Sequence, residues 1–453
     1  MKKFTLAQVA LACNGEFFGE SSLDSTIVEN ITIDSRNVCE GTLFIAVKGE
    51  RVDGHSYIPQ TYEKGAVCVV SEQPLNNTKK PYILVSSTLQ AIKDIATFYR
   101  SLFDIPFIGI TGSVGKTSTK EMISAVLSQK YKVHKTQGNF NNEIGVPLTL
   151  FAMHEDTQVA VIEMGISDFG EMTNLTKIVK PTHCVLTNIG NCHLENLINL
   201  DGVLKAKSEI FKSMQKDGKV YLNGDDEKLR TITLDTTTPT FFGLGSNNAF
   251  TAKNINNTGL TGIDCTLVNA CENLDVHIPA IGNYMIGNAL CAYAIGKSFG
   301  LNSKEIADGI ASYKTVGSRA NIIKTETLTV IDDCYNANPV SIKSAIDTLA
   351  NFKNRKVAIL GDMKELGENE VALHCEVGKH TDEKNIDILI AIGTLAKHYA
   401  EDTHNIITHY FKTVDDAIND KTGIKTIVSN DDIVLVKASR SMKLEQVVQY
   451  LTK

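Results

Sequence analysis

The sequence has no Pro-rich tract, no long block of like charge and no run approaching the ~20 apolar residues of a bilayer span. Disorder and a membrane-spanning segment are therefore not expected. Its ten cysteines, scattered from Cys13 to Cys375, make no CxxC pair and no paired zinc spacing. That pattern excludes a sequence-evident zinc site and predicts free thiols in a reducing compartment, the cytoplasm. A net charge of −7 and a pI near 5.9 argue against a general binder of nucleic acid or anionic membranes. A local basic pocket for small phosphorylated ligands remains compatible with that charge. No internal repeat at a fixed period stands out.

What is present is an ordinary globular composition, 43% hydrophobic and 21% charged, over 453 residues. At roughly 100–200 residues per domain this predicts two to four domains, and three is the working number. Short apolar runs alternate with helical patterns: Leu43 to Val47, Val67 to Val70, Phe107 to Ile110, Val159 to Ile162, Val185 to Leu186, Val357 to Leu360, Leu389 to Ile392 and Ile433 to Val436. Such alternation is the signature of an α/β fold. The polar, turn-rich stretch from Asp235 to Asn257 reads as loops and edge strands. Boundaries are placed before Asp104 and near Tyr313 to Ser318, dividing the chain into 1–103, 104–314 and 315–453. Lys2 and Lys3, followed by a short apolar stretch ending at Cys13, mimic a lipoprotein signal. The stretch holds Thr5 and Gln8, and Leu6, Val9, Ala10 and Cys13 have helical spacing, which predicts a first amphipathic helix instead.

Phe107 to Thr111 reads as a buried strand, Gly112-Ser113-Val114-Gly115-Lys116-Thr117-Ser118 follows, and Met122, Ile123, Val126 and Leu127 mark a helix face. Strand, glycine loop and helix start form a phosphate cradle. Exposed amides donate to phosphate oxygens, Lys116 neutralises charge and Thr117 can ligate Mg²⁺. The position five before Gly115 is Ile110, a departure from the general eight-residue loop. Glu163 closes the run Gln158 to Ile162, so a carboxylate stands at a strand's C-terminal end beside the loop, where a hard oxygen suits Mg²⁺. The next strand delivers Thr187-Asn188-Ile189-Gly190-Asn191-Cys192-His193-Leu194-Glu195 to the same edge. A lone histidine there is more often structural, but Glu163 and Lys116 as neighbours point to a site. Lys207, in Ala206-Lys207-Ser208-Glu209-Ile210-Phe211, looks like an ordinary solvated lysine of an amphipathic helix.

Together these pieces resemble the Mur ligases over nearly the whole chain. The resemblance is carried by Ile33-Asp34-Ser35-Arg36, by Leu43 to His55, by Thr111 to Thr117, by Asn139-Phe140-Asn141-Asn142, by Glu163-Met164-Gly165 and by Asn188 to Glu195. Further on it is carried by Asp332-Asp333-Cys334-Tyr335-Asn336-Ala337-Asn338-Pro339, by Leu360 to Gly367 with His374, and by Lys437-Ala438-Ser439-Arg440. The Tyr-Asn-Ala-Asn-Pro and Gly-Asp-Met-x-Glu-Leu-Gly strings favour the branch that adds D-alanyl-D-alanine to a UDP-linked muramoyl tripeptide.

The resemblance implies three domains: a UDP-substrate domain, a central parallel sheet of the P-loop ATPase type and a Rossmann-like domain for the amino component. It implies ATP and one or two Mg²⁺ ions as cofactors, small-molecule substrates, no nucleic-acid partner and a monomer. Gly112 to Ser118 would hold the ATP phosphates. Thr117, Glu163 and His193 would serve the metals, and Lys207 would be a carbamoylated lysine beside them. Asn288, Arg319 and Asp333 would contact the nucleotide. Ser35 and Arg36 would help hold the UDP-sugar, and Asn139, Asn142, Asn336 and Asn338 would meet substrate. The sequence departs from the family at Cys192, usually Ala, at Ile198-Asn199, usually Gly-Ser, and at Tyr284-Met285, usually His-Asn. Alternatives are a relative such as a MurE-like or folylpolyglutamate-synthase-like ligase, or a regulatory P-loop NTPase. No Asp-Asn-Pro-Arg string of the diaminopimelate-adding enzymes is present.

Overall fold

Each of the eight apolar runs forms a strand: Thr42–Ile45, Ala66–Ser71, Phe107–Thr111, Val159–Glu163, His183–Leu186, Lys356–Gly361, Ile388–Ile392 and Ile433–Lys437. They are apolar without alternation because helices cover both sheet faces, as parallel sheets require. The computed structural model describes residues 1–49, 52–75, 79–401, 403–419 and 421–453. Glu50 and Arg51, part of the Leu43 to His55 string, lie outside the described residues. The signal-like start is the helix Leu6–Ala12, with Thr5 and Gln8 as a capping box and Leu6, Val9 and Ala10 buried. No described helix is long and apolar enough to cross a membrane.

The strands sort into separate sheets along the chain. The first large sheet has five strands in the order Glu16–Phe18, Tyr82–Leu84, Ala66–Ser71, Thr42–Ile45, Asn30–Thr32, parallel except at its first pair. A six-stranded parallel sheet follows in the order Thr240–Phe242, Lys219–Asn223, His183–Leu186, Phe107–Thr111, Val159–Glu163, Val133–Lys135. Strand order reverses on either side of Phe107–Thr111, which makes the crevice beyond that strand's carboxyl end the place where such sheets bind ligands. The stretch Asp235 to Asn257 supplies this sheet's edge strand Thr240–Phe242, and Thr251–Asn257 pairs in a three-stranded antiparallel sheet. A last sheet of six strands runs Asn321–Lys324, Thr329–Asp332, Ile433–Lys437, Lys356–Gly361, Ile388–Ile392, Ile407–Phe411. It is parallel apart from the hairpin that starts it.

One buried cation ties the first sheet's helix to the central sheet. Helix Thr88–Ser101 buries Ala91, Ile92, Ile95, Ala96 and Tyr99 on one face and ends with Arg100, 5% exposed. The Arg100 guanidinium donates to Val179 O at 2.6 Å, Phe103 O at 2.9 Å and Lys180 O at 3.1 Å, and lies 3.6 Å over the Phe107 ring. Burial lowers its pKa to about 10, so it stays charged at neutral pH. Replacing Arg100 by Met strands these carbonyls in a dry contact. We expect a loss of roughly 2–4 kcal/mol from the first unfolding transition in urea, with earlier proteolytic cutting between residues 103 and 107.

Candidate active site

Strand Phe107–Thr111 runs into Gly112, at φ +147°, where a Cβ would stand 2.0 Å from Thr187 Oγ1. Glycine is required there by space as well as by backbone angle. Ser113 N donates to Asn188 O at 3.0 Å and Val114 N to Asn188 Oδ1 at 2.9 Å. Ser113 Oγ donates to Gly190 O at 3.1 Å and accepts from Gly190 N at 2.8 Å. The loop is thus clamped to the segment that follows the neighbouring strand. Gly115, at φ +80°, caps helix Lys116–Leu127. Among the described residues, the amides of Gly115, Lys116, Thr117 and Ser118 donate to no protein acceptor. Four free donors at the positive end of a helix dipole are built to receive an anion. The buried Thr111 Oγ1, at the foot of the loop, also lacks a partner. Lys116 Nζ donates to Gly112 O at 2.7 Å; burial lowers its pKa, and Glu163 opposes that shift.

Beneath the loop, Thr117 Oγ1 donates to Glu163 Oε2 at 2.8 Å and Asn141 Nδ2 to Glu163 Oε1 at 2.8 Å. Glu163 is 2% exposed, and its amide donates to Thr136 Oγ1. A hydroxyl and a carboxylate held by neutral donors offer hard oxygens, and among the described residues no ion pair engages Glu163. Among the described residues no group of three or more His, Cys, Asp or Glu is gathered as a metal cage. This donor set fits a cation such as Mg²⁺, which keeps waters and phosphate oxygens in its shell, better than zinc. Asn141 belongs to the quoted Asn-Phe-Asn-Asn string but was not among the expected contact residues. No local pattern marks it out: its partners, Glu163 and the Gly165 amide, lie more than 20 residues away in the chain.

Lys207 departs from the surface residue that the helix pattern suggested. Helix Leu200–Ser208 buries Val203, Ala206 and Lys207, leaving Lys207 1% exposed and its ammonium without a hydrogen bond or ion pair among the described residues. Burial lowers its pKa to about 8, with Cys192 opposing and Lys116 adding to the shift. Cys192, itself buried, donates to Ser113 Oγ at 3.1 Å, joining the clamp segment to the loop, and Lys207 feels the charge of both Cys192 and Lys116. His193 follows at φ +52°, its Nδ1 2.7 Å from Glu365 Oε2.

The remaining expected residues fall into three groups. Asn288 stands on helix Tyr284–Ser298 beside the loop helix, with Oδ1 accepting from Thr119 Oγ1 at 2.9 Å. Ser118 meets the Tyr313 side chain. At the start of the last sheet, the Arg319 guanidinium lies 3.7 Å over Tyr335, and Asp333 accepts from Ala320 N at 3.1 Å and pairs with Lys437 at 2.6 Å. Lys437, 3% exposed, was quoted only within a string, and its burial gave no signal in sequence. Ser35 and Arg36 sit on the first sheet's rim. Arg36 pairs with Asp34 at 2.6 Å, Lys64 Nζ donates to Ser35 O at 2.8 Å, and no hydrogen bond among the described residues links either to the loop. Asn139 O accepts from Asn141 N, Asn142 Oδ1 from Gly145 N, and Asn336 Oδ1 from Ala337 N. Asn338 caps helix Pro339–Ala350 through the Ser341 amide. In this conformation those four asparagines shape loops.

The buried Lys207 ammonium carries a measurable cost. Its folded pKa, about 8, lies below the ordinary 10.5, so the unfolded chain binds its proton more tightly. The penalty is full below pH 8, shrinks between the two values and is gone above 10.5. In CO₂-depleted buffer, Lys207→Met should exceed the unsubstituted protein in central-domain stability at pH 7 by up to about 3 kcal/mol. Calorimetric melts at pH 7 and pH 10 check whether the difference narrows as pH rises.

Residues 27–100 match the Mur ligase family catalytic domain, 110–296 the Mur ligase middle domain and 318–440 the Mur ligase glutamate ligase domain. A UDP-N-acetylmuramoyl-tripeptide–D-alanyl-D-alanine ligase of Bacillus subtilis is 36% identical over 100% of this chain and 99% of its own length. The crystal structure of MurF from Acinetobacter baumannii superposes with a TM-score of 0.92 at 28% identity, covering 100% of this chain and 99% of that one. MurF from Thermotoga maritima in complex with ADP superposes at 0.85, with 28% identity and coverage of 93% and 97%. Matched along its length in sequence and in all three parts of its fold, the chain belongs to the Mur ligase family.

Proposed function

We propose that the protein uses ATP to join D-alanyl-D-alanine to UDP-N-acetylmuramoyl-tripeptide, yielding the UDP-muramoyl pentapeptide of peptidoglycan synthesis, ADP and phosphate. The observation that carries this reading is end-to-end similarity to ligases of that name, at 36% identity, combined with a loop whose free amides, Lys116 and Thr117–Glu163 pair suit a nucleotide triphosphate. ATP binding is supported by the structural neighbour that holds ADP. A regulatory NTPase would need the same loop, but not whole-chain similarity to peptide ligases.

Condensing a carboxylate with an amine in water is uphill, so the acid first needs a leaving group. A substrate carboxylate oxygen attacks the γ-phosphorus, the bond to the bridging oxygen breaks and ADP departs, leaving an acyl phosphate. The dipeptide amine then attacks the acyl carbon, loses its proton, and phosphate leaves as the amide forms. Positioning and charge neutralisation dominate such chemistry. The loop amides orient the phosphates, and Lys116 follows the charge spreading over the transferred group. Mg²⁺, which Thr117 and Glu163 would hold with His193 and Lys207 nearby, supplies further neutralisation of phosphate oxygens when bound. A buried Lys207 with its pKa near 8 has an appreciable neutral fraction at pH 7.5. That amine can attack CO₂ and lose a proton to give a carbamate, replacing a cation by an oxygen-bearing anion where Mg²⁺ prefers one.

The working division is a UDP-substrate domain at 1–103, an ATP domain at 104–314 and a domain for the amino component at 315–453. Ser35 and Arg36 serve the first; Asn288, Arg319 and Asp333 meet the nucleotide; Asn139, Asn142, Asn336 and Asn338 reach substrate after closure. One chain supplies every named group, so a monomer suffices. ATP and UDP-linked sugars place the reaction in the cytoplasm.

ATP turnover should require both the UDP-muramoyl peptide and a dipeptide ending in D-alanine, with the product identified by mass; equal turnover without either would reject a ligase. Lys116→Ala should lower turnover about 10³-fold or more at unchanged melting temperature. Lys207→Ala should nearly abolish ligation, and short carboxylates should restore part of it. Rescue by alkylamines alone would mean that positive charge was needed.

A further inference from the structure

The segment from Asn188 to Glu195 is held on one side by the phosphate loop and gripped on the other by the last sheet's domain. Ser113 bonds Gly190 in both directions. On the far side of Gly190 stands Val340, whose Cγ2 would lie 2.9 Å from any Cβ added there. Leu194 packs against the apolar cluster of Ile342, Ile346 and Leu360. A Cβ added at Gly367, which stands at φ +66°, would lie 3.7 Å from Glu195 Cα. At the centre of this contact His193 Nδ1 lies 2.7 Å from Glu365 Oε2. Both residues of that pair have left-handed backbones, His193 at φ +52° and Glu365 at φ +63°, which non-glycine residues adopt only when surroundings over-determine them.

We infer that Glu365 is a positioning residue for the ligase reaction: the last domain uses it to orient His193 toward the phosphate loop. A carboxylate can only accept, so Nδ1 donates and Nε2 is the ring nitrogen left with a lone pair for a metal. A carboxylate behind a metal-facing imidazole fixes its tautomer and ring angle. Glu365 comes from a different domain than His193, so the arrangement is complete only when the last domain is docked. Docking is thereby tied to the readiness of the nucleotide site. The inference rests on the proposed role of His193 at the metal.

The test uses full-length protein with a non-hydrolysable ATP analogue and Mn²⁺ as the probe ion, read by electron paramagnetic resonance. Glu365→Ala should weaken Mn²⁺ binding to the nucleotide complex about 10-fold and lower kcat about 10–100-fold. KM for the UDP-linked substrate should stay within about twofold, and Glu365→Asp should recover most of both losses. Unchanged Mn²⁺ affinity and kcat in Glu365→Ala, a rise in kcat, or no recovery with Asp would overturn the inference. His193→Ala separates the two levels. If it binds Mn²⁺ and turns over normally, the metal-side role of His193 falls and takes the inference with it. If it loses both while Glu365→Ala loses neither, only the role of Glu365 falls.

Discussion

The register around strand Phe107–Thr111 is the constraint on which the site depends. Ile110 stands opposite Glu163 on one side, and Thr111 opposite Leu186 on the other. Parallel pairing puts the carboxyl ends of all three strands at one edge, so the loop after the first, the carboxylate ending the second and the clamp segment after the third must meet. A slip of one residue would turn each strand's side chains to the opposite face. It would also separate Thr117 from Glu163.

Polar groups gathered at that edge are dry, and their satisfaction explains the local order. Glu163 has both oxygens bonded, Ser113 answers Gly190 twice, and Thr187 and Asn188 hold Val114. These bonds fix the backbone while leaving the helix-end amides directed at what the loop receives. Like the loop amides, Thr111 Oγ1 and the Lys207 ammonium have no hydrogen-bond partner among the described residues, and Ser208 Oγ beside Lys207 has none either. Unpaired buried polar groups are expensive, and at a site they mark where a ligand or a chemical modification completes the set.

Inter-domain contacts meet the central sheet at opposite ends of its strands. The first sheet is joined at the amino ends of those strands by Arg100 donating to main-chain carbonyls and by an apolar core continuous with that of the central sheet. The last domain is joined through the clamp segment by apolar packing at Gly190 and Leu194 and by one half-exposed hydrogen bond from His193 to Glu365. A half-exposed polar contact competes with water, so this second attachment is the one suited to opening and closing.

The sequence alone determined the strands, the parallel α/β class and the phosphate loop. Apolar runs such as Phe107 to Ile110 and the glycines at 112 and 115 answer to local rules of burial and backbone angle. It also placed Glu163 beside the loop, because a residue at a strand's carboxyl end has only one edge to occupy. It did not determine the inward turn of Lys207, which lies on a helix whose pattern also fits a solvated face. The bond from Asn141 to Glu163 and the burial of Lys437 were likewise hidden, since each depends on a partner more than 20 residues away or on packing around the site. The meeting of His193 with Glu365 was decided by tertiary structure alone. Two residues far apart in the chain, each in a backbone conformation that its side chain disfavours, come together only when two domains are packed.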